Sequence, residues 1–259
     1  MKIKLINPNT TQSMTDKMAL SAQGVLSPGT ELIAVSPAFG PPSIEGWYDE
    51  AMAVPGLLSE VMKGEREGVD AYVIACFGDP GLYAARECAK GPVLGIAEAA
   101  MHAASMIASR FTVVTTLSRT VGMAWHLAER YGMTRFCKNV RAIDVAVLAL
   151  DEPGSEARQL VLDACRLAMR EDGAEVIVLG CAGMVDFCQA LQRELGIPVI
   201  DGVTTALKMA ESLVSLGLGT AKSADFAAPL AKTYDGLMAP FSPSAFIPDD
   251  VTRIKRDRQ

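Results

Sequence analysis

Two cysteines stand at matching places in a repeated stretch. The first copy reads Gly68-Val69-Asp70-Ala71-Tyr72-Val73-Ile74-Ala75-Cys76-Phe77-Gly78. The second reads Gly173-Ala174-Glu175-Val176-Ile177-Val178-Leu179-Gly180-Cys181-Ala182-Gly183. In each, an acidic residue and an apolar run lead to the cysteine, and a glycine follows two positions later. The parallel continues in Gly91-Pro92-Val93-Leu94 against Ile197-Pro198-Val199-Ile200, and more crudely in Lys4 to Thr10 against Thr112 to Ser118. This is one duplication, not an array of short repeats.

Thiols at equivalent places in facing halves suit proton transfer at a stereocentre. One thiolate removes a proton from one face, and the opposite thiol delivers one to the other face. Interconversion of mirror images has an equilibrium constant of one, which equivalent groups on both sides match. Each sulfur must approach the reacting carbon to ~3–3.5 Å, so the two would stand roughly 6–7 Å apart. A disulfide needs S–S near ~2 Å and is excluded at that spacing. The carbanion needs donors, each contributing ~2.7–4 kcal/mol when well placed.

The elements that must hold these thiols can be read from periodicity. Apolar, β-branched runs recur at Ile3 to Ile6, Leu32 to Val35, Ala71 to Ala75, Phe111 to Thr115, Val176 to Leu179 and Val199 to Ile200. Helical patterns follow most of them: Thr10 to Leu26, Tyr48 to Arg66, Ala97 to Ala108, Arg119 to Tyr131, Glu156 to Glu171, Met184 to Leu195 and Val203 to Leu216. The alternation predicts an α/β fold with parallel sheets flanked by helices and a site beyond the carboxyl ends of the strands. Each cysteine should then sit where a buried strand ends and a helix begins, with Asp79 as N-cap and Pro80 opening the first helix. Helix N-termini lower a thiol's pKa and hold anions. Moving a thiol from ~8.5 to ~7 corresponds to about 2 kcal/mol.

The other four cysteines, Cys88, Cys137, Cys165 and Cys188, lack a counterpart in the duplication and are expected to be core filler. His102 and His126 are expected to lie on helices, away from ligand. No Cys-x-x-Cys pair is present, so a zinc site is not expected. The segment Ser36-Pro37-Ala38-Phe39-Gly40-Pro41-Pro42-Ser43 is either a plain connector or a semi-rigid wall beside a site. The tail after Leu237, with Arg253, Lys255, Arg256 and Arg258 near its end, reads as an extension with a solvated basic terminus.

Composition bounds the partners. The chain has 259 residues, half of them hydrophobic, and a net charge of -6. That is enough to bury a core without staples. The acidic balance argues against nucleic acid. No apolar run reaches the ~18 residues of a membrane span, and the N-terminal apolar stretch is too short for a signal peptide. The expected compartment is the cytoplasm, where the six cysteines stay reduced.

The sequence resembles the hydantoin racemase branch of the Asp/Glu racemase superfamily. The matching stretches are Ile6-Asn7-Pro8-Asn9-Thr10, Ile74-Ala75-Cys76-Phe77-Gly78-Asp79-Pro80-Gly81, Gly95-Ile96-Ala97-Glu98-Ala99-Ala100 and Val178-Leu179-Gly180-Cys181-Ala182-Gly183-Met184. They cover nearly the whole chain to about Leu218. The stretches Tyr83-Ala84-Ala85-Arg86-Glu87, Met101-His102-Ala103-Ala104-Ser105 and Val114-Thr115-Thr116-Leu117 are more similar to the allantoin racemases of this branch. Allantoin is a hydantoin with a ureido group at C5.

The resemblance implies two pseudo-symmetric, Rossmann-like lobes with the site in the cleft between them. Lobe I would comprise residues 1–96 plus 206–240, lobe II residues 97–205, and 241–259 a C-terminal extension. It implies a cofactor-independent, metal-free racemase of a 5-substituted hydantoin, allantoin first, that assembles as a homo-oligomer. Cys76 and Cys181 would be the acid/base pair, Cys76 serving the D substrate and Cys181 the L substrate. Asn9, the N–H groups near Gly78 and Asp79, Thr115, Thr116, and those near Ala182 and Gly183 would bind the ring. Phe39 and Ile44 are candidates for the C5-substituent pocket. Relatives that handle acidic amino acids carry Asn-Thr and Thr-His after their cysteines, where this chain has Phe77-Gly78 and Ala182-Gly183. That departure argues against aspartate or glutamate. Two alternatives remain: a decarboxylase or cis–trans isomerase on the same fold, and a non-catalytic small-molecule binding module. The decarboxylase pattern lacks the first cysteine.

Overall fold

Branched apolar side chains that alternate on both faces of an extended chain need cover on both sides, and parallel sheets between helices supply it. A computed structural model describes residues 1–151 and 155–245. Its strands are β1 (Lys2–Ile6), β2 (Glu31–Val35), β3 (Ala71–Ile74), β4 (Val93–Gly95), β5 (Phe111–Thr115), β6 (Cys137–Ala142), β7 (Val176–Leu179) and β8 (Val199–Asp201). Its helices are α1 (Gln12–Gln23), α2 (Trp47–Glu67), α3 (Leu82–Cys88), α4 (Ile96–Ile107), α5 (Val121–Arg130), α6 (Ala157–Leu167), α7 (Cys188–Leu195) and α8 (Gly202–Ser215).

The strands form two four-stranded sheets in the orders β2-β1-β3-β4 and β6-β5-β7-β8. All six pairings are parallel. The orders correspond strand for strand, so the duplication in sequence is a duplication in space. The central strands β3, β5 and β7 are buried throughout. In one sheet Ile74 pairs with Gly95, and in the other Leu179 pairs with Asp201. Cys76 and Cys181 therefore each lie two residues beyond the end of the equivalent strand.

The two halves exchange a helix. α4 follows β4 of the first sheet but packs on β7 and β8 of the second. α8 follows β8 of the second sheet but packs on β3 and β4 of the first, and on α4. One buried cluster accordingly joins Ile3, Leu5 and Val73 to Met101, Phe111, Val178, Val203 and Leu207. The crossing is tightest where Gly202 meets Ile96. A side chain on Gly202 would begin 2.3 Å from the Ile96 carbonyl oxygen. Gly202→Ala is expected to lower unfolding stability by about 1–3 kcal/mol through forced separation of these helices. Thermal denaturation checks this, and an unchanged midpoint would contradict so close a crossing.

Some elements depart from expectation. β6 carries Lys138, Asn139 and Arg141, which an edge strand tolerates because one side faces solvent. Arg141 and Asn139 both donate to the Asp172 carboxylate. The helix expected over Met184 to Leu195 opens as a 3-10 turn, Ala182–Phe187, and becomes α7 only at Cys188. The helix expected to open at Pro80 begins at Leu82, as α3.

After α8 the chain runs back over the first sheet. The Thr220 N–H and hydroxyl donate to the Lys90 and Gly91 carbonyls at 2.9 and 2.7 Å. Lys222 Nζ donates to the carbonyls of Arg86, Glu87 and Ala89 at the end of α3. The basic residues Arg253, Lys255, Arg256 and Arg258 lie outside the described residues.

Candidate active site

The two thiols sit on equivalent turns. Ala75 N–H donates to Ile6 O at 2.8 Å, and its counterpart Gly180 N–H donates to Val114 O at 2.7 Å. Each extends its strand by one bond and aims the next residue beyond the sheet. The cysteine carbonyls then close matching turns: Cys76 O accepts from Asp79 N–H at 3.0 Å, and Cys181 O from Met184 N–H at 3.1 Å. The trailing glycines match as well. A side chain on Gly78 would begin 3.7 Å from Cys76 Sγ, and one on Gly183 would begin 3.5 Å from Cys181 Sγ. Bare backbone thus lies against each sulfur.

Both half-buried cysteines line one cavity of about 60 Å³. By volume it has room for roughly four to six water molecules. Asn9, Thr115, Thr116 and Thr120 supply its polar wall. Met14, Ile44, Phe77, Met123, Ala124 and Val147 supply an apolar one. The Asn9 carbonyl oxygen accepts from the Asn7 side chain and from Thr11 N–H, each at 2.9 Å. Its orientation is therefore fixed, with the NH₂ on the side of Met14 Sδ, 3.7 Å away. The Thr115 hydroxyl donates to Gly180 O at 3.2 Å, linking β5 to the cysteine turn.

None of Ser36 to Ser43 lines the cavity, but the segment holds the residue that follows it, Ile44, in place. The Pro41 and Pro42 carbonyls accept from Thr10 N–H and the Thr11 hydroxyl, which pins the segment beside Asn9. Ile44 reaches the cavity. Glu45 accepts from Val147 N–H at 2.8 Å, and the Trp47 ring meets His126 edge-on at 5.5 Å. The segment therefore bridges from the first sheet's side of the cleft to the second.

Several expectations need correction. Asp79 does not cap α3, which begins three residues later behind Gly81. Asp79 holds a left-handed backbone (φ 46°) and caps α4 instead. Its carboxylate accepts from Ala97 N–H at 3.0 Å, Glu98 N–H at 2.9 Å and the Tyr131 hydroxyl at 2.7 Å. Burial pushes its carboxyl up to about 7, and those three donors oppose the rise. The Asp79 N–H faces the Cys76 carbonyl, not a ring. Phe39 is half exposed and packs edge-on against Phe241 at 6.3 Å, in a surface groove separate from the cleft. Gly183 lies behind Cys181, and its carbonyl accepts from Lys17 Nζ at 2.8 Å.

The electrostatics of Cys76 also differ from expectation. No helix N-terminus faces it, because α3 starts too far along. Burial pushes its thiol above the ordinary range, the Gly78 N–H bond opposes this, and Cys181, Asp79 and Glu50 add to the rise. Burial therefore favours the thiol form of Cys76. Cys181 immediately precedes the 3-10 turn, as its N-cap. Burial raises the other thiols: Cys88 to about 11, and Cys137, Cys165 and Cys188 to about 12. Those four lie outside the cavity lining. His102 Nδ1 pairs with the Glu98 carbonyl at 2.8 Å, and neither histidine reaches the cleft.

A family model described as Asp/Glu/Hydantoin racemase matches residues 3–210. The chain belongs to this family. A hydantoin racemase of Rhizobium meliloti is 53% identical over 236 residues, 91% of this chain and 98% of that protein. The structure aligns with an allantoin racemase from Klebsiella pneumoniae at a TM-score of 0.92 and 52% identity, covering 94% of this chain and 99% of that one. An allantoin racemase from Pseudomonas fluorescens aligns at 0.88 and 39%, covering 91% and 100%. The chain is an isomerase, a racemase.

Eight lining residues of the racemase were not legible as such: Met14, Ala75, Phe77, Thr120, Met123, Ala124, Val147 and Gly180. Met123 and Ala124 lie on the buried face of α5, where the helical pattern is the same for core and cleft. Thr120 bonds back to Thr115 and to the Leu117 carbonyl, so the polar run from Thr115 onward was the available signal.

Proposed function

We propose that the racemase interconverts the enantiomers of 5-substituted hydantoins, allantoin first among them, by two-base proton transfer at C5 through Cys76 and Cys181. The observation that carries this reading is the pair of thiols on superimposable turns, both opening into one small cavity. A hydantoin ring offers carbonyls and N–H groups but no carboxylate. The Asn9 amide and the Thr115 and Thr116 hydroxyls suit it, and among the described residues no arginine or lysine lines the cavity to demand an acid. The relatives named hydantoin racemase and allantoin racemase point to the same ring.

Bond changes are few. A thiolate takes the C5 proton from one face, and the electrons move into the adjacent carbonyl as an enolate. The opposite thiol then delivers a proton to C5 from the other face. Burial favours the thiol form of Cys76, which suits it to donate. In this reading Cys181 serves the L enantiomer and Cys76 the D. The reading needs no metal or cofactor. It places the enzyme in the cytoplasm as a homo-oligomer, and the exposed apolar side chains Met106, Ile107, Leu216 and Leu218 favour self-association.

The test is polarimetric. Each enantiomer of allantoin and of 5-alkyl and 5-aryl hydantoins is incubated with the enzyme. Decay of optical rotation to zero from both sides is expected for allantoin. Absence of decay with every hydantoin would overturn the substrate class, and loss of activity on treatment with a chelator would overturn the metal-free reading.

A further inference from the structure

Two-base turnover leaves the racemase with its protons exchanged. The thiol that donated is now a thiolate, and the thiolate that accepted is now a thiol. Before a second molecule of the same enantiomer can react, both sulfurs must trade protons with water. Among the described residues, the cavity wall offers Cys76 no carboxyl or imidazole to trade with, only the Asn9 amide and the threonine hydroxyls.

Glu50 comes up to the Cys76 turn at Gly78 without lining the cavity. It stands in the first turn of α2 and is partly exposed. Its Oε2 is 3.3 Å, and Cys76 Sγ is 3.7 Å, from the point where a Gly78 side chain would begin. Because Gly78 has no side chain, that point beside both the carboxyl and the sulfur is left unfilled. Burial raises the Glu50 pKa, with Arg130 opposing, so its carboxyl takes up a proton more readily than an exposed one. The nearby carboxyl of Asp79 is committed to Ala97, Glu98 and Tyr131. The Cys181 side is built differently. There Lys17 bonds to the Gly183 carbonyl and pairs with Asp186 at 2.8 Å.

We propose that Glu50 carries protons between Cys76 and solvent while the cleft is empty, and so resets the racemase between turnovers. The inference rests on Cys76 as an acid/base group. When Cys76 is left as a thiolate, the Glu50 carboxylic acid passes it a proton and becomes a carboxylate, which hydronium or a buffer acid in the solvent reprotonates. When Cys76 must lose its proton, the same steps run in reverse. Glu50 acts only through Cys76 and does not touch substrate.

Resetting follows product release, so it limits kcat and leaves kcat/KM alone. Glu50→Gln is expected to lower kcat about 10-fold or more in both directions, with KM falling in parallel and kcat/KM within about 2-fold of wild type. Added formate, a small diffusible acid, should restore kcat. Glu50→Ala should show the same split with a larger formate rescue, and it decides the matter if the glutamine variant fails to fold. An unchanged kcat, or a kcat/KM that falls with kcat, would overturn the relay while Cys76→Ser remains inactive. Full racemisation by Cys76→Ser would instead overturn the two-thiol reading on which the relay stands.

Discussion

Cys181→Ser and Cys76→Ser are each expected to lose racemisation of both enantiomers by roughly 100- to 10,000-fold, the usual contribution of a positioned acid or base. The reason lies in the shared cavity. Each direction of reaction needs one sulfur to accept and the other to donate, so losing either stops both directions. A serine hydroxyl is nearly isosteric with the thiol but is far too weak an acid to exist as an anion at neutral pH. The variants should not be equivalent. Cys76→Ser keeps Cys181 and should still exchange the C5 hydrogen of one enantiomer, while Cys181→Ser should do so for the other. Optical rotation and C5 exchange, measured side by side, check this. Full racemisation by either single variant would contradict the account.

Asp79→Ala is expected to have the largest effect on stability of any single change near the site, about 3 kcal/mol, from lost donors' partners, a lost cap and left-handed backbone strain. Three donors converge on this carboxylate: two N–H groups at the start of α4 and the Tyr131 hydroxyl. All would lose their partner at once. Alanine also tolerates φ of 46° poorly, whereas asparagine accepts it. For a domain of this size, the loss should lower the thermal midpoint by roughly 6–12 °C. Asp79→Asn should lose less, because it keeps the backbone conformation and one acceptor. Activity should fall with Asp79→Ala at temperatures where the variant is folded, since the Asp79 N–H closes the Cys76 turn. A midpoint shift below about 1 °C in scanning calorimetry would show that the three bonds contribute nothing net.

The repeated cysteine motif was legible because a buried parallel strand writes itself as a continuous apolar run, and both copies kept theirs. β3 and β7 follow those runs closely. β6 was not legible, because an edge strand with Lys138, Asn139 and Arg141 carries no apolar pattern. The role of Asp79 was misread for a local reason. Its place before Pro80 looks like a cap for the next helix, but two left-handed residues, Asp79 and Gly81, turn the chain so that the carboxyl reaches α4, 18 residues away. The same turn keeps any helix N-terminus off Cys76, and burial raises its pKa where a fall was expected. Phe39 and Ile44 lie five residues apart in one loop, and only Ile44 faces the cleft. Loop sequence holds no periodicity to separate them. Glu50 was invisible for a different reason. It lies in the solvent-patterned first turn of a helix and becomes notable only because Gly78 has no side chain.

The central claim is that protons leave and arrive on opposite faces of one carbon through different sulfurs. The most direct measurement follows a single enantiomer of allantoin in heavy water through the first few per cent of reaction, reading C5 deuterium separately in the remaining substrate and in the new enantiomer. Two thiols predict that the product is deuterated at C5 while the remaining substrate keeps its protium, whichever enantiomer is supplied. Protium retained in the product would mean that one group had carried the same hydrogen across, and would contradict the account.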